Sequence, residues 1–130
     1  MRLAAVALLV DDYDAALRFF VGGLGWRCTG DKDEGGGKRF VTVAADGGAS
    51  VVLARAVGQQ ANAVGRQHGG RVGWFLETDD FARDSARIEA AGGRFEEPPR
   101  DEPYGRVAVW HDPWGNRWDL IEPLGNPTTG

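Results

Sequence analysis

Leu9-Val10-Asp11-Asp12-Tyr13 and Glu77-Thr78-Asp79-Asp80-Phe81 say nearly the same thing twice. In each, an apolar run with strand character leads into an acidic pair, and a segment with helical spacing follows. Asp11 and Asp79 stand 68 residues apart, and so do Gly25 and Gly93, which stop the two helical segments. A repeat at fixed offset sets the architecture before any other feature. Two copies are too few for a solenoid. The pattern predicts two modules folded against each other, with a site between them.

Working outward, Leu3 to Val10 is almost wholly apolar and stops at Asp11-Asp12, which predicts a buried strand. Asp11 or Asp12 caps the helix that follows. Tyr13, Ala16, Leu17, Phe20 and Leu24 give that helix one apolar face. A second strand begins at Trp26-Arg27-Cys28, and residues 31–37 read as a glycine-rich acidic turn. Strands follow over 39–45 and 49–54, around a tight turn at Asp46-Gly47-Gly48. Residues 55–70 are polar and without period, and read as a linker. The order then repeats: strand 72–76, Asp79 or Asp80 as cap, helix 81–91, strand 94–96, loop 98–103, strand 105–111, turn 112–115, strand 116–121. Each half is βαβββ. The expected organisation is a single domain over 1–130, with module one at 1–54, a linker at 55–70, module two at 71–123 and a loose tail at 124–130.

Composition narrows the function. Hydrophobic residues make up 42% of the 130, enough for a core. No apolar run approaches the roughly 20 residues of a membrane span. The single cysteine, Cys28, leaves no intrachain disulfide, and Met1-Arg2-Leu3 leads straight into a strand, so a cytoplasmic protein is expected. The net charge of −4 and the lack of a basic stripe argue against nucleic acid. Two glycine patterns mislead. Gly35-Gly36-Gly37-Lys38-Arg39 lacks the Ser or Thr and the helix of a phosphate loop. Gly22-Gly23-Leu24-Gly25 follows a helix instead of opening one, so it is no dinucleotide fingerprint.

The two βαβββ units, the run "VDDYDAALRFF" after the first strand and "HDPWGNRWDLIEP" near the end resemble the vicinal oxygen chelate superfamily of glyoxalases, bleomycin-resistance proteins and extradiol dioxygenases. The resemblance spans essentially the whole chain. It implies an α+β fold in which two modules curl their mixed sheets around a ligand cavity, and it implies a homodimer. In the metal enzymes of that family, a His or Gln on each module's first strand and a Glu on each last strand hold one divalent ion. The matching positions here are Ala5, Gly73, Val52 (or Leu53 in a shifted register) and Asp119. One carboxylate does not hold a catalytic metal, which needs about three protein ligands. The inherited metal site is therefore expected to be lost, with no metal or cofactor bound.

Strand alternation then assigns the cavity face. Ala5, Ala7 and Leu9 lie on it in the first strand, Gly73, Phe75 and Glu77 in the fifth, and Arg117, Asp119 and Ile121 in the last. Trp74 and Trp118 face the helices. Trp110 and Trp114 are candidates for stacking on a flat ligand, and Tyr104 for closing over the same mouth. Glu77 and Asp119 favour a cation or hydrogen-bond donor, and either is a candidate catalytic base. Arg117 is their natural partner. His111 reads as a solvent-facing strand end and His68 as an exposed linker residue. The leading expectation is a metal-independent small-molecule-binding protein with its ligand in the intermodule cavity. The alternative is a glyoxalase-like lyase or isomerase with a substituted metal or a metal-free acid/base site, so enzymatic activity stays open.

Overall fold

The computed structural model describes residues 1–125. The fold is α+β and divides into two compact units, one over residues 1–67 and one from residue 68 on.

In the first unit, β1 (Ala5–Val10) is followed by α1 (Tyr13–Leu17), β2 (Arg27–Gly35), β3 (Lys38–Ala44) and β4 (Ser50–Arg55). The sheet order is β1-β4-β3-β2, with β1 parallel to β4 and the other pairs antiparallel. Asp12 is the cap: its Oδ2 accepts the N–H of Ala15 at 2.8 Å. α1 is shorter than the apolar spacing predicts, because it widens into a π-helical turn over Arg18–Gly23. That turn buries the sequence neighbours Phe19 and Phe20 together, edge to face at 5.0 Å. α1 packs on β3 and β4, over Leu8, Val10, Val41, Val43 and Leu53, all at zero exposure.

Two expectations for this unit are corrected. The stretch 31–37 is not a long turn, since β2 runs to Gly35 and only Gly36 and Gly37 turn. Ladder pairing with β3 and the Arg39 guanidinium, bonded to Asp31 at 3.1 and 2.7 Å, hold a strand that has no apolar face. The stretch 55–70 is not a featureless linker either. It contains a 3₁₀ segment, Gly58–Ala63, and ends on a side chain that behaves like a strand. Gln67 Oε1 accepts the N–H of Leu9 at 2.8 Å, and its Nε2 donates to the carbonyl of Ala7 at 2.7 Å. These are groups of β1, the strand at one end of the sheet order. Gln67→Ala removes both bonds and is expected to cost about 1–2 kcal/mol. The check is amide exchange, in which Leu9 should lose protection while the paired amides between β3 and β4 keep theirs.

In the second unit, β5 (Val72–Glu77) leads to α2 (Phe81–Ala91), β6 (Arg94–Phe95), β7 (Arg100–Glu102), β8 (Gly105–His111) and β9 (Arg117–Pro123). The sheet order is β5-β9-β8-β6, with β7 also on β8, and β5 runs parallel to β9. The order of the first unit is thus repeated. Asp80 caps α2 by accepting the N–H of Arg83 at 3.0 Å, and Glu122 on β9 accepts that of Phe81 at 2.7 Å. α2 stops at Gly92 with φ 113°, one residue before the glycine the repeat singles out. The loop expected over 98–103 contains β7. Its residues are all charged, so no apolar signal marks it, yet β8 offers it a free edge.

The core of this unit is a stack of tryptophans. Trp118 lies between Trp74 and Trp110, with ring centroids 5.2 and 5.0 Å away and planes 20° and 21° from parallel. The turn between β8 and β9 is built on Asp112, which is 4% exposed. Its Oδ1 accepts backbone N–H groups from Trp114, Gly115 and Asn116 at 2.9–3.0 Å. Its Oδ2 accepts Asn116 Nδ2 and Trp118 Nε1, both at 2.9 Å. Of the expected tail, Leu124 donates its N–H to the Tyr104 carbonyl at 3.1 Å, and residues 126–130 lie outside the described residues.

Candidate functional site

Each sheet buries one face under its helix and leaves the alternate residues on the other face. In the first unit the open face is small and uncharged where it matters. Ala7 pairs with Val52, Leu9 with Ala54, Ala5 with Ser50, and Thr42 flanks Val52 on the next strand. In the second unit Phe75 pairs with Asp119, as Ala7 pairs with Val52. That register settles which residue of β4 matches Asp119: it is Val52, not Leu53.

The second open face is charged. Phe75, 63% exposed, lies beside Asp119, and Glu77 is exposed beside Ile121. Across the sheet, Val109 pairs with Asp119 and His111 with Arg117. Glu96, just after β6, donates its N–H to the Val109 carbonyl at 3.1 Å and so reaches the same face. Its carboxylate is the hub. One oxygen accepts both Nε and Nη2 of Arg117, and the other bonds His111 Nε2 at 3.2 Å. Arg117 Nη1 also donates to the Gly70 carbonyl at 3.1 Å. The hydrogen bonds from Arg117 and then from His111 hold the Glu96 carboxyl below its usual range. Arg100 is likewise engaged, with Glu97 and with Glu102. Among the described residues no hydrogen bond or ion pair reaches Asp119. Burial raises its pKa, opposed by the charges of Arg100 and Arg117 and aided by those of Glu97 and Glu96.

The sequence candidates divide accordingly. Phe75, Arg117 and Asp119 come together, with Glu77 further along β5. Arg117 does not pair with Asp119 or Glu77, its natural partners by strand parity. Trp110 is corrected: it has zero exposure and stacks on Trp118, so it cannot stack on a ligand. Its partner across the ladder is Trp118, which already faces the helix, and that register was the sign. Trp114 is half-buried in the Asp112 turn, and Tyr104 is 56% exposed in the turn before β8. Gly73 falls in a bulge between Val72 and Trp74, so alternation does not run through it unbroken. A Cβ there would overlap the ring of His68, which also meets Trp74 edge to face at 4.4 Å. His68 is exposed but packed. His111 is not a free strand end, because Glu96 holds it. Glu96 itself was missed. Alternation from Phe95, which contacts Phe81, would have placed it on the open face.

The four positions matching the family's metal ligands hold Ala5, Val52, Gly73 and Asp119. With one carboxylate they do not fit a divalent ion, and His68 beside Gly73 adds only one more donor. Among the described residues no three His, Cys, Asp or Glu side chains gather as a metal group. What the arrangement offers instead is an apolar ring beside a carboxylate that is unpaired among the described residues.

The chain belongs to the Glyoxalase/Bleomycin resistance protein/Dioxygenase superfamily, whose family model matches residues 2–120. It is 44% identical over 121 residues to an uncharacterized protein of Shewanella frigidimarina (strain NCIMB 400), covering 90% of each. Among solved structures it is similar to UcmS2, at 25% identity over 94% of this chain and 98% of that one, TM-score 0.78. It is also similar to TnmS3, an antibiotic binding protein from Streptomyces sp. CB03234, at 28% identity over 95% and 97% of the two chains, TM-score 0.74.

Proposed function

We propose that this protein binds a small organic molecule without a metal, using the open faces of its sheets. The observation that carries this reading is the substitution of the ligand positions: Ala5 and Val52 offer room where the metal enzymes offer donors, and at Gly73 the ring of His68 fills the space a side chain would take. The likeness to TnmS3, an antibiotic binding protein, supports a sequestering role over catalysis. Phe75 supplies apolar contact, Asp119 and Glu77 supply acceptors, and Tyr104 and the half-buried Trp114 are the remaining aromatic candidates. The protein acts as a homodimer, as the family resemblance implies, and its single cysteine fits the cytoplasm. One observation favours a second reading, a glyoxalase-like lyase or isomerase: the raised pKa of Asp119 suits a base that takes a proton from the carbon next to a carbonyl.

Thermal unfolding followed by tryptophan fluorescence tests the binding reading. The midpoint is expected to stay unchanged in chelator and with Zn²⁺, Ni²⁺, Mn²⁺ or Fe²⁺. It should rise with a planar aromatic ligand found by screening, by about 2.7 kcal/mol of added stability at a hundredfold excess over Kd. A metal-dependent rise that vanishes in Asp119→Ala would reverse the conclusion and put an enzyme first.

A further inference from the structure

Every cation near Asp119 is already engaged, and one residue does most of the engaging. Arg117 and Asp119 are two residues apart on one strand face, where the long arginine stem can reach the carboxylate. Yet the guanidinium spends all three nitrogens elsewhere, two on Glu96 and one on the Gly70 carbonyl. Glu96 also takes His111 on its second oxygen, and Arg100 is held by Glu97 and Glu102. Among the described residues Asp119 is left without a partner, next to the exposed ring of Phe75. An aromatic face beside a carboxylate suits an organic ammonium, whose charge both groups attract.

We propose that Glu96 is a positioning residue that sets the charge of the ligand: by holding Arg117 away, it keeps Asp119 and Phe75 open as a subsite for an organic ammonium group. The proposal rests on the small-molecule reading of this face and adds the ligand's chemical class. Without the Glu96 charge, Arg117 turns to Asp119 and the subsite closes to cations.

The probe is benzyltrimethylammonium, titrated into isotope-labelled protein by NMR, with benzyl alcohol and benzoate as neutral and anionic controls. The cation is expected to shift the Phe75 and Asp119 resonances and to bind at least tenfold more tightly than either control. Asp119→Asn should erase that preference. Glu96→Gln should erase it too, and should move the Asp119 carboxyl titration to lower pH as Arg117 closes on it, a change that a merely structural role would not produce. The double variant E96Q/R117Q should regain the preference. Equal binding of cation and alcohol overturns the ammonium class but leaves small-molecule binding standing. Failure of these probes and of a full ligand screen overturns both. An E96Q protein that keeps its cation preference and its Asp119 titration overturns the role of Glu96. In the wild type, the Arg117 Nε–H resonance should not move as the cation binds. Its release would overturn the proposal even where E96Q does not fold.

Discussion

Asp112→Ala should destabilise the second unit by about 2–6 kcal/mol, the combined cost of leaving two buried side-chain donors without an acceptor. Five donors converge on this carboxylate, and two of them, the Asn116 amide and the Trp118 indole, are side chains of buried residues. Removing the acceptor leaves those donors dry and unbonded, at about 1–3 kcal/mol each where water cannot follow. Burial raises the Asp112 pKa, and the bonds from the Trp118 and Asn116 side chains and from the Asn116 and Trp114 backbone oppose that shift. Asp112→Asn is therefore the informative companion. It keeps the size but presents an NH₂ where a donor already points, so it should recover only part of the loss. Urea denaturation of the three proteins checks the order. A loss under about 1 kcal/mol for the alanine variant would mean that the turn is held by its backbone alone.

Trp118→Ala is expected to cost about 3–5 kcal/mol, the usual range for truncating a buried Trp. The ring is the middle layer of the three-tryptophan stack, so its removal strips one face from Trp74 and one from Trp110. Trp118→Phe keeps an aromatic layer but loses the indole bond to Asp112, and should cost about 1–3 kcal/mol. The two sites share that bond, so their effects should not add. In a double-mutant cycle with Asp112→Ala, the coupling energy should exceed about 0.5 kcal/mol. Full additivity would show that the indole bond contributes nothing.

The fold could be read because its signals are local and repeated. Two Asp-Asp pairs cap two helices, and the bounds of α2 and β8 follow from apolar spacing and the flanking glycines. β7 and the outer half of β2 could not be read that way. Their residues are polar, and what makes them strands is a neighbour's unpaired edge and ion pairs across it, both properties of the folded chain. The π-helical turn after α1 carries no pattern that separates it from an ordinary helix. At the site, strand parity placed Phe75, Glu77, Arg117 and Asp119. It failed where it was not carried onto the next strands: Trp110 and Glu96 both follow once β8 and β6 are set in register with β9. The allegiance of Arg117 was beyond reach, because strand parity offered Glu77 and Asp119 as its partners and only geometry chose Glu96.

The Gln67 side chain that lines β1 has a consequence for synthesis. Translation runs from the N-terminal side, so β1 is made before the strands of its sheet. Its parallel partner β4 begins 45 residues later, at Ser50 opposite Ala5. The amide that covers Leu9 and Ala7 comes later still, at position 67. Through that interval the most apolar strand of the first unit is a nascent segment without its sheet, and for the last part of it a strand with one side bare. Long-range pairing of this kind is slow and leaves chains open to aggregation. The hazard ends when residue 67 emerges, the last residue of the first unit. The first repeat can therefore be complete before any of the second has emerged, and each copy meets its own folding problem in turn.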